Sequence, residues 1–262
     1  MHWVVVLGLL GGCGFHGPHL RGDATPGGDD AMEAGVIGGE AGIDGPNLQG
    51  LVAWYQAETI PPAVDSTGNG HTGVCTSCPT LGLAKRGQAS FRFDGMQNRI
   101  DVVSTAALEP TVFTIAAWTS WAAFPGNNAY ACPVGKYVGT GFANSWQFCL
   151  HGTNSGGGVE WMFLSQHDAF DQMKHPATIA LNTWHHVAAT WDGSTKRMYV
   201  DGSALATTAM PAGPIQYDNG RVTLGADLTS STVQDSQFEG LLDDVRIYNR
   251  VLAATEIVQL AQ

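Results

Sequence analysis

Apolar and polar residues alternate with a period of two along much of the chain after Leu51. Phe91 and Phe93 flank Arg92, and the same spacing recurs in 146–150 and 161–163. This alternation is typical of β-strands with one buried face. Further strands are predicted at 100–103, 112–121, 184–191, 197–200, 221–225 and 238–248.

Turn residues separate these strands. Asp94-Gly95, Asp192-Gly193 and Asp201-Gly202 each follow an apolar run, and Asp-Gly is a strong hairpin signal. Only 253–260 has helical spacing, with Ile257 and Leu260 three residues apart. About a dozen short strands at this spacing predict an all-β fold, a two-sheet antiparallel jelly-roll sandwich with a short C-terminal helix.

The first residues have the features of an export signal. Trp3 to Leu10 is a short apolar run, and Leu10-Gly11-Gly12-Cys13 resembles the bacterial lipobox. That resemblance implies a signal peptide over 1–12 and acylation of Cys13. The residues before the run, Met1 and His2, lack the Lys or Arg that usually begins a signal peptide.

Residues 13–50 differ in composition from the rest of the chain. Ten glycines lie between Gly14 and Gly45, together with acidic residues and one aromatic residue, Phe15. Such a segment buries too little apolar surface to offset the entropy of ordering. We therefore expect a flexible acidic tether over 13–50 and one domain over 51–262.

The five cysteines leave an even number if Cys13 carries lipid. Because export implies an oxidising compartment, we expect the disulfides Cys132–Cys149 and Cys75–Cys78. A Cys₄ zinc site and a redox Cys-x-x-Cys motif are alternatives for the same residues.

Composition narrows the class of function. The net charge is −11, with 12 basic and 23 acidic residues, which argues against a nucleic-acid partner. Hydrophobic residues make up 44% of the chain, enough for a core. No apolar run reaches 18 residues, so we expect contact with a membrane only through the lipid anchor.

Four segments together resemble a known domain family. Asp65 to His71, Phe93 to Gly95, Trp184 to Gly193 with Tyr199 to Gly202, and Phe238 to Arg250 resemble segments of laminin-G-like (concanavalin-A-like) jelly rolls and follow one another in the order of that family. The similarity extends from about Leu51 to Leu260. Ala253 stands where the family often has a capping Ser, which should fray the last helix.

The family resemblance implies a structural calcium ion between an early loop and the last strand. Its ligands would come from Asp65, Asn69 and Gly70, with Asp243 or Asp244 closing the site and Asp94 as a further ligand. Alternatively, Asp65 and Asn69 only shape a turn, and Asp243 pairs with Arg246.

Candidate ligand-binding residues lie in the loops and on the strands beside them. Asn127, Asn128 and Asn154 lie in Gly-rich loops, and His167 and Asp168 lie in another polar loop. Trp121, Trp146 and Trp161 are candidates for stacking on sugar rings, and the alternative is that they belong to the core.

No pattern of catalytic residues stands out. The Glu residues of the domain are too far apart in sequence for a pair on one strand, and Gly-x-Ser-x-Gly and His-Glu-x-x-His do not occur. The sequence therefore predicts a non-catalytic, exported and lipid-anchored binding module that recognises carbohydrate or an extracellular or cell-surface protein. A spacer domain without a small ligand and a glycoside hydrolase are the alternatives. The predicted location is the bacterial cell envelope, as an outer membrane lipoprotein, or the extracellular space.

Overall fold

The computed structural model describes residues 48–137, 144–154, 157–166, 170–209, 213–228 and 234–262. These residues belong to one unit, Asp44–Gln262. The predicted signal peptide, Cys13, His167, Asp168 and nearly all of the predicted tether lie outside the described residues.

The described residues form sixteen strands, a 3-10 turn at Ala106–Leu108 and one α-helix. The strands are β1 Leu51–Tyr55, β2 Thr80–Gly82, β3 Ser90–Asp94, β4 Ile100–Val102, β5 Phe113–Trp121, β6 Tyr130–Tyr137, β7 Asn144–Gly152, β8 Val159–Gln166, β9 Phe170–Ala177, β10 Trp184–Trp191, β11 Thr195–Val200, β12 Ser203–Ala209, β13 Val222–Leu224, β14 Asp227–Leu228, β15 Gln234–Asp235 and β16 Glu239–Tyr248. The helix α1 covers Ala254–Leu260.

Two antiparallel sheets stack into the predicted jelly-roll sandwich. The first has the order β12-β11-β10-β5-β16-β3-β2, and β1 pairs with the second half of β16. The second has the order β4-β13-β6-β7-β8-β9, and β14 pairs with β15 in a small ribbon. One continuous core lies between the two large sheets.

The alternating pattern sets which side chains enter the core. Phe91 and Phe93 are buried on β3, whereas Arg92 between them is exposed. Asp201 (φ 50°) and Gly202 (φ 76°) form the turn between β11 and β12, where Val200 pairs with Ser203. A turn of this kind needs positive φ at both central residues, and Asp and Gly accept it. The Asp201-Gly202 hairpin prediction is confirmed. Asp94-Gly95 follows β3 in the first sheet and precedes β4 in the second sheet, so the hairpin prediction is wrong there.

Two long strands lack a clear signal in the sequence. β6 contains Pro133 and Gly135, which favour turns in isolation, and its register with β7 shifts between Ala131 and Val134. β9 is rich in polar residues and includes Pro176. β9 is the edge strand of its sheet, where a proline is tolerated because one side needs no ladder hydrogen bond.

The C-terminal helix covers part of the outer face of the first sheet. Ile257 and Leu260 pack with Tyr199, Tyr248 and Leu252. Ala253 precedes the helix and offers no side-chain acceptor, but its N–H donates to Glu256 Oε2 at 2.7 Å. Glu256 therefore makes one of the two hydrogen bonds of a capping box, the one that uses the backbone of Ala253.

Both predicted disulfides are present. Cys75 is bonded to Cys78, and Cys132 on β6 is bonded to Cys149 on β7. Cys132 and Cys149 form a small buried cluster with Met162 and Leu164 on the outer face of the second sheet. No helix in the described part of the chain has the length and apolar character needed to cross a bilayer.

Candidate functional site

Two of the loops that the sequence singled out lie side by side at one end of the second sheet. The N–H of Asn128 donates to the carbonyl of Gly152 at 2.9 Å, and the N–H of Gly152 donates to the carbonyl of Ala129 at 2.9 Å. A Cβ at Gly152 would lie 2.1 Å from the carbonyl oxygen of Gly126, so a side chain there has no room. Asn127, Asn128 and Asn154 are exposed.

Polar side chains continue from these loops across the outer face of the second sheet. Tyr130 on β6 pairs with His151 on β7, and His151 pairs with Glu160 on β8. Gln172 and Lys174 extend the surface onto the edge strand β9. We call this set the Tyr130 face: Asn128, Tyr130, His151, Glu160, Gln172 and Lys174.

His151 is the centre of the hydrogen bonding on the Tyr130 face. Its Nδ1 lies 3.1 Å from Glu160 Oε2 and 3.3 Å from Lys174 Nζ, and its Nε2 lies 3.4 Å from Asn128 Oδ1. A proton on Nδ1 donates to Glu160, whereas a proton on Nε2 leaves Nδ1 to accept from Lys174. The buried imidazole thus ties four segments together and fixes the groups around it.

The aromatic component of the Tyr130 face is held by its neighbours. The rings of Tyr130 and His151 have centroids 4.7 Å apart, and Gln172 Nε2 donates to Tyr130 Oη at 3.3 Å. Lys174 Nζ lies 5.7 Å from the centre of the Tyr130 ring. Tyr130, Glu160 and Gln172 are half-buried and Lys174 is exposed, so donors, acceptors and a ring edge reach the surface together. This combination can bind a ligand rich in hydroxyl groups.

The structure corrects the assignment of the tryptophans. Trp121, Trp146 and Trp161 are 0%, 1% and 2% exposed and belong to the core between the sheets. Trp121 meets Trp161 at 6.3 Å, and Trp146 meets Phe113 at 5.8 Å between ring centroids. Side chains alternate between the two faces of a strand, and these three occupy inward-pointing positions together with the other core residues of their strands. Their rings are therefore not available to stack on a sugar.

The loop 65–71 contains three of the predicted calcium ligands, Asp65, Asn69 and Gly70. Asp65 Oδ1 accepts hydrogen bonds from Trp54 N, Thr67 N and Thr67 Oγ1, and Oδ2 accepts from His71 N. Burial acts to raise the pKa of Asp65, but these donors outweigh it and the pKa lies below its ordinary value. Asn69 Nδ2 donates to the carbonyl of Val52 at 2.9 Å. These side chains organise the loop itself.

The other predicted calcium ligands lie elsewhere and have their own partners. Asp94 Oδ1 accepts from three backbone N–H groups in its turn, and Asp243 Oδ2 accepts from two. Asp244 pairs with Arg246 at 2.9 Å, so the predicted ion pair of Arg246 forms with Asp244 rather than Asp243. Among the described residues, no three His, Cys, Asp or Glu side chains form a group able to hold a metal ion. No three of the four predicted Asp ligands therefore form one group, and calcium binding stays a prediction.

The hydrolase alternative requires two carboxylates that lie close together, so the neighbours of the acidic residues are relevant to it. Glu160 is paired with His151, and Asp227 on β14 is the cross-strand partner of Asp235 on β15. Asp227 Oδ1 accepts from Leu228 N, and Asp235 Oδ1 accepts from Ser236 N. These two residues are eight positions apart, so only the β14–β15 pairing reveals that they are neighbours.

Sequence reasoning found the loops of this site but not its centre. Tyr130, Gln172 and Lys174 lie on β6 and β9, the two long strands with weak sequence signals. In the sequence, Glu160 is only one of the Glu residues that lie too far apart to pair on one strand. The sequence signal that could have found the centre is the alternation on β7 and β8. His151, Glu160 and Gln147 occupy the positions on these strands that point away from the core.

Comparison with known proteins agrees with this architecture. The family model described as the Concanavalin A-like lectin/glucanases superfamily (Laminin_G_3) matches residues 93–258. No curated protein matches the chain.

Several solved structures share the fold. Domain 4 of AbnA, a GH43 extracellular arabinanase from Geobacillus stearothermophilus, in complex with arabinotriose, is 19% identical with a TM-score of 0.61, over 81% of this chain and 98% of that domain. The binding domain of Paraclostridial Mosquitocidal Protein 1 is 15% identical with a TM-score of 0.62, over 81% and 52%. The binding domain of Botulinum neurotoxin DC in complex with rat synaptotagmin II is 14% identical with a TM-score of 0.57, over 81% and 51%.

The match to the two toxin domains is partial, since the chain spans about half the length of each. At these identities the similarity shows the fold alone. The family match covers more than half of the chain and includes β16, the strand that joins β1, β3 and β5 in the first sheet. The chain belongs to the concanavalin A-like lectin/glucanases superfamily.

Proposed function

We propose that this protein is a non-catalytic carbohydrate-binding module, exported and anchored to the bacterial cell envelope through lipid on Cys13. The observation that carries the binding function is the Tyr130 face, where an aromatic ring, a carboxylate, an ammonium group and amides share one half-exposed surface. Sugar hydroxyls both donate and accept hydrogen bonds, so they match such a mixed set.

The structure of AbnA domain 4 with arabinotriose supports this proposal, because that domain has the same fold and binds a neutral oligosaccharide. A protein ligand is the second candidate, supported by the complex of the neurotoxin DC binding domain with synaptotagmin II. The Tyr130 face favours carbohydrate, since half-exposed polar groups surround the buried His151, whereas the cores of protein interfaces are depleted in charged residues.

Calorimetric titration with neutral trisaccharides (arabinotriose, xylotriose, cellotriose and maltotriose) tests the binding function. At least one should bind with a Kd between micromolar and millimolar, and Lys174→Ala or Glu160→Gln should weaken it about tenfold, the loss of one or two hydrogen bonds. Lys85→Ala and Glu239→Gln, which change the same residue types on the first sheet, should leave the Kd unchanged. Equal effects of both pairs of variants would refute the assignment of this face.

Reducing-end release separates a binding module from a hydrolase. Prolonged incubation with the bound trisaccharide should release no reducing ends, and Asp227→Asn should change nothing. Release by the wild-type protein that Asp227→Asn or Asp235→Asn abolishes would establish the hydrolase alternative instead.

Membrane fractionation in a bacterial host tests the anchor. Wild-type protein should appear in the membrane fraction, and Cys13→Ala protein should be soluble or retain its leader, since the thiol is the acylation site in the lipobox pattern. Identical fractionation of both proteins, together with the same leader processing in both, would exclude a lipid on Cys13.

A further inference from the structure

A cavity of about 360 Å³ lies beside β4, on a part of the second sheet that the Tyr130 face does not reach. β13 separates β4 from β6 in the sheet order. The lining residues are Thr76, Ser77, Met96, Gln97, Arg99, Asp101 and Gln237. We call this cavity the Arg99 pocket. Its volume is at the lower end of the range of about 300–1,000 Å³ that small-molecule sites occupy.

Three segments build the pocket, namely 76–77, 96–101 and Gln237, and the first two are fixed by bonds to each other and within themselves. The loop with Thr76 and Ser77 is closed by the Cys75–Cys78 disulfide. Its Ser77 carbonyl accepts from Arg99 N at 3.1 Å. The disulfide therefore closes this loop, and the backbone hydrogen bond connects the loop to the segment of Arg99.

The turn after β3 is fixed by a single carboxylate. Asp94 Oδ1 accepts from the N–H groups of Met96, Gln97 and Asn98 at 2.9, 3.2 and 3.3 Å. Asn98 Nδ2 donates to the carbonyl of Cys78 at 3.1 Å, which ties the turn to the disulfide loop. A rigid site loses little conformational entropy when a ligand binds.

The two charged residues that line the Arg99 pocket, Arg99 and Asp101, pair with each other. Arg99 Nε and Nη2 bond the two carboxylate oxygens of Asp101 at 2.7 and 3.0 Å, and Arg221 Nη1 bonds Asp101 Oδ2 at 2.9 Å. An anionic ligand would have to displace Asp101 from the guanidinium groups, and a cation would meet two arginines beside one carboxylate. The arrangement therefore favours a neutral ligand.

The remaining lining favours hydroxyl groups. Guanidinium donors stand directly beside carboxylate acceptors, and Thr76, Ser77, Gln97 and Gln237 add groups that can both donate and accept. Neighbouring hydroxyls on a sugar ring present the same alternation of donor and acceptor. Met96 is 65% exposed at the cavity and offers an apolar surface for the C–H face of a sugar.

We propose that the Arg99 pocket is a second carbohydrate-binding site, which takes a neutral sugar residue through its hydroxyl groups. This inference rests on the proposed function only for the class of ligand, carbohydrate. The site itself is independent of that proposal, because none of the pocket residues belongs to the Tyr130 face. Two sites on one module would let a single polysaccharide chain, or two chains, bind with an avidity above that of either site.

Methionine methyl NMR can observe the two sites separately in one sample. Met96 lines the Arg99 pocket, Met162 pairs with Lys174 beneath the Tyr130 face, and the buried Met198 on the first sheet is an internal control. Protein labelled with ¹³C at the methionine methyl groups is titrated with each of the four neutral trisaccharides and with trigalacturonate. Met96→Leu assigns the pocket signal.

We expect a neutral trisaccharide to shift Met96 in a saturable manner and to leave Met198 unchanged. Gln97→Ala combined with Gln237→Ala should weaken the Met96 titration about tenfold, because two amide contacts are lost, and should not affect Met162. Gln88→Ala, an exposed glutamine on the first-sheet side, is the matched control.

The outcomes separate the two proposals. Saturable shifts at Met162 with a static Met96 signal would overturn the second site and leave the proposed function standing. Shifts at Met96 with a static Met162 signal would support the pocket and remove the Tyr130 face as a binding site. A static Met96 with every trisaccharide at millimolar concentration, or a tighter response to trigalacturonate than to any neutral sugar, would overturn the pocket proposal.

Discussion

Asp243 is a fully buried carboxylate whose ionisation should oppose folding at neutral pH. It lies on β16 where the register with β5 shifts, between Asp243 and Arg246. Its Oδ2 accepts from the N–H groups of Lys85 and Arg86 at 2.8 Å each, while Oδ1 has no hydrogen-bond partner among the described residues. Burial raises the pKa of Asp243 from 3.8 to about 6, although the two backbone donors act in the opposite direction.

The sign and size of the effect follow from this shift. Between about pH 4 and pH 6 the folded protein holds a proton on Asp243 that the unfolded chain releases, so the free energy of unfolding falls as pH rises through this window. A shift of about two units corresponds to roughly 3 kcal/mol at 1.36 kcal/mol per unit. The penalty is fully present above pH 6 and absent below the unfolded pKa.

Asp243→Asn removes the ionisation and keeps an oxygen that can accept from both N–H groups. Urea unfolding of both proteins, in the presence of EDTA, gives the difference in unfolding free energy from about pH 4 to pH 7. The wild-type protein should lose up to about 3 kcal/mol relative to Asp243→Asn over this range. Glu239→Gln removes a negative charge from an exposed position on the same strand and corrects for net charge. A difference that does not change with pH, or a wild-type protein that gains relative stability as pH rises, would refute the reasoning.

Three further predictions concern stability. Replacing Cys132 and Cys149 with Ala should lower the unfolding free energy by about 3 kcal/mol, and the same change at Cys75 and Cys78 by about 2 kcal/mol, because a disulfide that closes a longer loop removes more entropy from the unfolded chain. Chemical unfolding with and without reductant measures both values, and a larger loss for the Cys75–Cys78 pair would contradict this reason. Asp65→Asn should lower the unfolding free energy by about 1–3 kcal/mol, because it disturbs the acceptor for His71 N, and the loss should be equal in calcium and in EDTA. A larger loss in calcium would show that Asp65 is a metal ligand. Trp161→Ala should destabilise the protein by about 3–5 kcal/mol through the cavity it leaves, as thermal unfolding will show, and full stability would contradict its place in the core.

The sequence alone determined the fold class, most of the strands and two of the three predicted hairpin turns. Period-two alternation is a local property of a strand with one buried face, and Asp201 and Gly202 are residue types that accept the positive φ of their turn. The two disulfides were also predicted, because the four cysteines of residues 51–262 allow only three pairings. β6 and β9 were missed, since their prolines and polar residues are acceptable only next to the neighbours that the sheet supplies.

Only the tertiary structure decided which face each residue occupies and what it meets there. Alternation shows that Trp146 and Gln147 point in opposite directions but not which direction is the core, and the stacking of two sheets places the tryptophans inside. The register between strands that are distant in sequence brings Tyr130 to His151 and Arg221 to Asp101. Such contacts depend on pairing between strands up to 120 residues apart, and no local pattern carries that information.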